Sequence, residues 1–540
     1  MLRVIIEDYL ASIKDERAFD LPFIALLAGL GYFDIHKTHG SNEKGKDFIA
    51  KFKTLEGVEQ WVFQSKCGNI TKGDWGGGLN SQMFACEFYG LEHPSFCADL
   101  PRQSVIVATG TVKQHALNEI DSFNKDTVVK AGRKPLIIWD RLKLVEYFVE
   151  SVEATIYLGE YGGISRMGDF LSRLGDAIKG KACTDQIELY SRSWYRSDTE
   201  ASKRLLNAAS ESAVLAWRLR ESVSPYEALH SHLGFIRSVA VQLYEDQEGD
   251  NISWLRQVYG SAAAEVCVLA VDYNRMLEYL SVQQGGELSR IFSGTSAIVA
   301  YPVTCMRLLE CFALRYFLSP DELERGDLCD AIVNLLTSES GCSSPISDRY
   351  AVSIVWSCLV LVIAGRSEVV DQHLRKVTKW ICDRYVLGFG LAGVSADAYE
   401  EVCSLLGYPF ESIQVSRTNG SFIATAICDL AAFMSDVELY EHVTTAFRTA
   451  GVYTEYYQCD DSLSQFEVDG LGVAYFPSVR FSMVEAGRLP VEYADHMRTE
   501  VVGGSSLSNV DASIYVCVSI LLRDRYFPLL WTQLRKSCAG

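Results

Sequence analysis

The sequence has no Cys-x-x-Cys or Cys-x-x-His pair, although it holds 16 cysteines. The usual paired spacing of metal and redox sites is therefore missing. The cysteines lie instead in apolar runs such as Val266-Cys267-Val268-Leu269 and Trp356-Ser357-Cys358-Leu359. Free cysteine in such places behaves as a small buried hydrophobe of a reduced compartment. There is no uncharged apolar run long enough for a membrane. The best candidate, Tyr350–Gly365, falls short of the ~18–20 residues that a span needs, and it reads as a buried core helix. Acids come early, at Glu7 and Asp8, with no uncharged stretch before them. No secretion signal is expected, and the reading is a cytoplasmic protein without a membrane anchor. No repeat period stands out.

What is present is an ordinary globular balance, with 48% hydrophobic and 22% charged residues among 540. That length suits two to four domains. The net charge of −19 is unevenly spread. Residues 1–150 hold 18 basic against 20 acidic side chains, and the rest holds 32 against 49. A strongly acidic surface repels phosphate chains. The near-neutral N-terminal part is thus the candidate for nucleic acid, and the acidic remainder is not.

Periodicity divides the chain at about residue 152. Leu2, Ile5, Ile6, Tyr9, Leu10 and Ile13 recur at helical spacing. A break is expected at Asp20-Leu21-Pro22, with a second helix through Phe23, Leu26, Leu27 and Leu30. The period then becomes two. Strands are predicted at Tyr32–Lys37, Asp47–Lys53 and Gln60–Lys66, with a polar turn between the first two. A helix near Leu79–Tyr89, a strand at Ser104–Thr109, a helix near Lys113–Phe123, a strand at Pro135–Trp139 and a helix at Arg141–Val149 follow. A meander feeding a crossover helix implies an α/β domain, a mixed sheet flanked by helices. Residues 153–540 read as a large, mainly α-helical region, with a further boundary left unplaced. Helices are expected at Ala201–Ser222, Ser261–Val282, Ala297–Leu318, Asp321–Thr337, Tyr350–Ala364, Phe422–Met434 and Ala512–Arg523.

One motif misleads. Gly40–Lys46 fits GxxxxGK, but a phosphate-binding loop needs Ser or Thr next and then a helix. Here Asp47 follows and a strand begins. With Asp47 opening one strand and Gln64 and Lys66 on one face of the next, a carboxylate, an amide oxygen and an ammonium can converge. Oxygen ligands suit Mg2+ or Mn2+, and such a set suits phosphodiester hydrolysis.

The arrangement Asp47-x16-Gln64-x-Lys66, after a helix and hairpin, resembles the PD-(D/E)xK nuclease superfamily. More narrowly it is similar to its Mrr-like restriction endonuclease branch, in which Gln often replaces Glu. The pieces are Leu27–Tyr32, Gly45-Lys46-Asp47-Phe48, Val62–Lys66, Val105–Gly110 and Ile138–Arg141. The resemblance implies a restriction-endonuclease-like fold over residues 1–152. It makes Asp47 the main metal ligand, Gln64 the second and Lys66 the catalytic lysine. Asp20 falls where the family carries a helix acid, so it is either a further ligand or simply an N-cap. Glu43 is either another carboxylate of the site or a solvated turn residue. Gln82 either approaches a phosphate or a metal-bound water, or is structural.

Lys37, Lys44, Lys46, Lys51, Lys53 and Lys72 cluster around this site as a candidate phosphate footprint. His36 and His39 read as non-metal and DNA-facing. Asp460-Asp461 reads as a solvated turn. The function expected is a metal-dependent DNA endonuclease, an anti-phage defence effector restrained by its helical region. A homo-oligomer is expected too, and a separately encoded NTPase as partner, since no nucleotide site is found here. The alternatives are a helical scaffold or adaptor with an inactive nuclease-like domain, and an RNase.

Overall fold

The computed structural model describes every residue except 39–43, 159–182, 196–200, 246–250, 285–286, 293, 395, 397, 408–419, 455–465, 467–510, 528–529 and 540. The chain divides into two compact units, Met1–Asp169 with Thr199–Val214, and Phe170–Asp198 with Leu215–Gly540.

The first unit carries a five-stranded sheet in sequence order: β1 Phe33–Lys37, β2 Phe48–Thr54, β3 Gly57–Lys66, β4 Arg102–Ala108 and β5 Ile137–Trp139. β1, β2 and β3 form an antiparallel meander. β3, β4 and β5 are parallel, with helices in the connections. The mixed sheet expected from the period-two runs is therefore present, with strand ends within a few residues of those predicted.

Helices α1 Leu2–Ser12 and α2 Glu16–Gly29 precede the sheet. The chain breaks between them, before Glu16, and not at Asp20-Leu21-Pro22. Asp15 is the N-cap, accepting from the Arg17 N–H at 3.0 Å. Pro22 thus lies inside α2, where its ring denies Ala18 a backbone donor. The Tyr9 hydroxyl approaches that carbonyl at 3.5 Å. A short helical turn at Lys72–Asp74, capped by Thr71, leads through Trp75–Leu79 into α3 Asn80–Phe88. Gly78, at φ 139°, kinks this path. α4 Gln114–Phe123 and α5 Arg141–Glu150 complete the layers.

Strand alternation sends the two faces of the sheet into different cores. On one face Phe48, Phe63 and Trp139 meet Phe23, with ring centroids 5.0–6.2 Å apart. On the other, Ile49, Val62, Ile106 and Ala108 pack with Trp75, Leu79, Met83, Ala116 and Ile120. Asp47 and Gln64 share the periodicity of this second face.

The second unit is helical among its described residues, apart from a two-residue pair of strands at Gly420–Ser421 and Tyr453–Thr454. The apolar run singled out above forms the helix Ala351–Ile363, and its residues Ala351–Val362 are all buried. The expected helices recur at Ile252–Gln283, Thr295–Leu318, Glu322–Ser338, Phe422–Phe433 and Ala512–Leu522. Pro225–Glu245, Ser367–Val386 and Val437–Ala450 are further helices that the periodicity did not single out. Buried Glu310 ties several of them together, accepting from Tyr226, Ser353 and Arg523. A buried charge persists only when it is paired and hydrogen-bonded in this way. No helix among the described residues is long and apolar enough to cross a membrane. Asp460-Asp461 lies outside the described residues.

Candidate active site

The site forms where β2 begins and β3 ends. The backbone N–H of Asp47 donates to the Phe63 carbonyl at 2.8 Å, and Thr38 N–H donates to the Asp47 carbonyl at 2.9 Å. Asp47 is thereby fixed between β1 and β3 before its side chain is considered. Its carboxylate Oδ2 accepts from the Ser65 backbone N–H and from Gln64 Nε2, each at 2.6 Å. Asp47 and Gln64 are thus brought together as their spacing predicts. Gln64 is 3% exposed, and its amide oxygen Oε1 is buried with no hydrogen-bond partner. A buried acceptor left unpaired costs about 1–3 kcal/mol, and this one belongs to an amide whose nitrogen faces a carboxylate.

Lys66, at the end of β3, pairs with a residue the motif did not include. Its Nζ lies 3.5 Å from Glu16 Oε1, at the start of α2. Glu16 and Asp20 are four residues apart and share one helix face. Asp20 is ion-paired to Lys37 at the end of β1. Asp20 is therefore not an N-cap. Its observed partner is a lysine, and no contact links it to Asp47 directly. The signal that could have revealed Glu16 was its place one turn before Asp20.

The remaining candidates fall apart from one another. Lys46 is 0% exposed, which removes it from any phosphate-facing surface. Its ammonium donates to the carbonyls of Lys44 at 3.2 Å and Ala85 at 3.0 Å, and burial lowers its pKa to about 8. The loop before it is pressed against α3: a Cβ on Gly45 would stand 2.1 Å from the Gln82 carbonyl oxygen. Gln82 and Lys44 are exposed. Lys72 is exposed and pairs with Glu119 at 2.8 Å, which raises its pKa. Lys51 pairs with Asp34 at 2.6 Å, and Lys53 is exposed. Glu43 and His39 lie outside the described residues.

His36 meets Asp34 Oδ1 and Ser95 Oγ, both at 2.9 Å. Lys51 and His36 hold the Asp34 carboxyl well below the usual carboxylate range. The trio looks like a nucleophile relay. Both oxygens, however, address the same ring nitrogen, Nε2, whereas a relay needs one on each nitrogen.

Among the described residues no group of three or more His, Cys, Asp or Glu side chains is assembled for a metal. Asp47 and Gln64 meet carboxylate to amide nitrogen, with the amide oxygen on the other side of the Gln64 side chain. Against known proteins, the chain matches no family model, no curated protein and no solved structure.

Proposed function

We propose that the N-terminal unit is a metal-dependent endonuclease of the PD-(D/E)xK kind that hydrolyses DNA phosphodiester bonds. One observation carries this reading: the Gln64 side chain lies against the Asp47 carboxylate through its amide nitrogen, and its amide oxygen is buried with no hydrogen-bond partner. Two oxygen donors of this type fit a hard cation such as Mg2+ or Mn2+. Asp47 would hold the ion, and Gln64 would join it by turning its amide so that the oxygen takes the place of the nitrogen. When bound, it would polarise a phosphoryl group and lower the pKa of a water.

The chain's own residues supply the rest. The Ser65 N–H keeps the Asp47 carboxylate facing the end of β3. In the metal-free protein the Gln64 amide donates to that carboxylate, so no second negative charge repels it. Lys66 would orient the attacking water and stabilise charge that develops on the phosphate oxygens. Its ammonium is held near the strand end by Glu16. The acidic helical unit, unsuited to phosphate chains, would restrain or assemble the nuclease, as in an anti-phage effector. A homo-oligomer and a separately encoded NTPase are the partners that such an arrangement would use.

The test is digestion of plasmid DNA and structured RNA side by side, with Mg2+ or Mn2+ and with EDTA. The expected result is metal-dependent cleavage of DNA. Cleavage of RNA alone would reassign the substrate. DNA binding indifferent to EDTA, with no cleavage of either polymer, would instead support a scaffold bearing an inactive nuclease-like domain.

A further inference from the structure

The helical unit buries several carboxylates, and one of them lacks what the others have. Glu310 meets Arg523, and Glu188 meets Arg192 and Arg237. Asp429, in the helix Phe422–Phe433, is 2% exposed and meets no cation among the described residues. Its Oδ2 accepts from the Tyr526 hydroxyl at 2.5 Å, and its Oδ1 is buried with no hydrogen-bond partner. A charge kept from water without a counter-ion is costly, so such a carboxyl holds its proton instead. Burial raises its pKa to about 7.

The partner that Asp429 holds belongs to the C-terminal segment. Tyr526 follows the helix Ala512–Leu522 and leads into the helix Trp531–Ala539. Aromatic contacts seat this segment at both ends of Phe422–Phe433. Phe422 meets Tyr526 and Phe433 meets Trp531, with ring centroids 5.1 and 5.4 Å apart. Tyr526 and Trp531 are joined to each other, since Trp531 Nε1 donates to the Tyr526 carbonyl at 3.2 Å. Asp429 is the polar point between the two aromatic contacts.

The groups around Asp429 would not neutralise its charge. On its own helix the Cys428 thiol is kept neutral by burial. The C-terminal segment offers the uncharged Tyr526 hydroxyl. The turn packed at the start of the helix brings another acid, Asp348, which accepts from Ser421 and Ile423. The helices Ala351–Ile363, Ser367–Val386 and Val437–Ala450 pack on the same helix and bring no charged side chain that acts on it.

We propose that Asp429 is a proton-dependent tie: protonated, it holds Tyr526 and the helix Trp531–Ala539 against Phe422–Phe433, and ionised, it favours release of that segment. The closed form keeps the proton up to about pH 7, whereas an open, hydrated carboxyl loses it near its ordinary 3.8. Opening thus passes one proton to water, becomes about tenfold easier per pH unit between those values, and levels off above them.

The test is hydrogen exchange of the full chain, read as protection factors between about pH 5.5 and 8. Protection of Trp531–Ala539 is expected to fall about tenfold or more in wild type, while that of Ala351–Ile363 holds. Asp429→Asn, which copies the protonated carboxyl, should keep its protection at every pH. Tyr526→Phe removes the donor that steadies the carboxylate, so its fall should persist and move to higher pH. Constant protection in wild type, or a parallel fall in Ala351–Ile363, would overturn the tie. So would an Asp429→Asn variant that follows the wild-type course, or a Tyr526→Phe variant whose fall is absent or moves to lower pH.

Discussion

Asp47 and Gln64 meet because a two-residue period places both on one face of adjacent antiparallel strands, and that much is legible in the sequence. The state of the Gln64 amide is not, since it depends on which groups reach it. One side of the amide bonds Asp47 and the other bonds nothing. A Gln64→Glu substitution should therefore act in opposite directions with and without metal. In EDTA it removes a donor from Asp47 and sets a second carboxylate against it, destabilising the unit by about 1–3 kcal/mol. With Mn2+ it should recover more stability than wild type does, because the added charge strengthens the ion site. Thermal unfolding in both conditions measures this, and an unchanged melting temperature in EDTA would contradict it. Lys46 shows how a residue type can mislead. A lysine before a metal-site aspartate reads as a phosphate contact, yet here burial lowers its pKa from 10.5 to about 8. Between those values the unfolded chain holds more protons than the folded one. Its contribution to stability therefore rises with pH across that window. The gap in unfolding free energy between wild type and Lys46→Met should shift by about 1–3 kcal/mol in favour of wild type from pH 8 to 10.5. A constant gap would show that Lys46 titrates normally.

The strands and most helices were legible because their apolar residues repeat with the right period. The start of α2 was not, because Pro22 is a strong punctuation signal and normally marks a first turn. The Asp15 cap wins instead, and the Ala18 carbonyl that Pro22 leaves without a backbone donor faces the Tyr9 hydroxyl. Helices such as Pro225–Glu245 escaped for another reason. Nearly every residue of that helix is buried, so no polar face alternates with an apolar one. The loop before β2 is a tertiary feature as well. Gly45 combines φ +73° with a close approach to the Gln82 carbonyl, and neither shows in the GxxxxGK pattern that draws the eye. A Gly45→Ala variant should lose about 1–3 kcal/mol of stability from strain and crowding. It should also lower DNA cleavage, because Asp47 lies two residues on. Denaturant unfolding together with a cleavage rate checks this, and wild-type values for both would contradict the packing described.

The two units differ in composition as well as in architecture. The first holds the sheet, the candidate site and a nearly neutral charge. The second is acidic and helical, with buried ion pairs such as Glu310–Arg523 and Arg237–Glu188 across its helices. That division is visible in the sequence as a change of period and a change of charge. What the helical unit would do for the proposed nuclease is not, because regulation would lie in contacts that no local pattern encodes. The whole account depends on hydrolysis at the Asp47 site, and the most direct measurement is the rate of plasmid cleavage with Mn2+ for wild type, Asp47→Ala and Lys66→Ala. Loss of a ligand or of the charge-stabilising lysine should slow cleavage by roughly 100-fold or more. Equal rates for all three proteins would contradict the assignment.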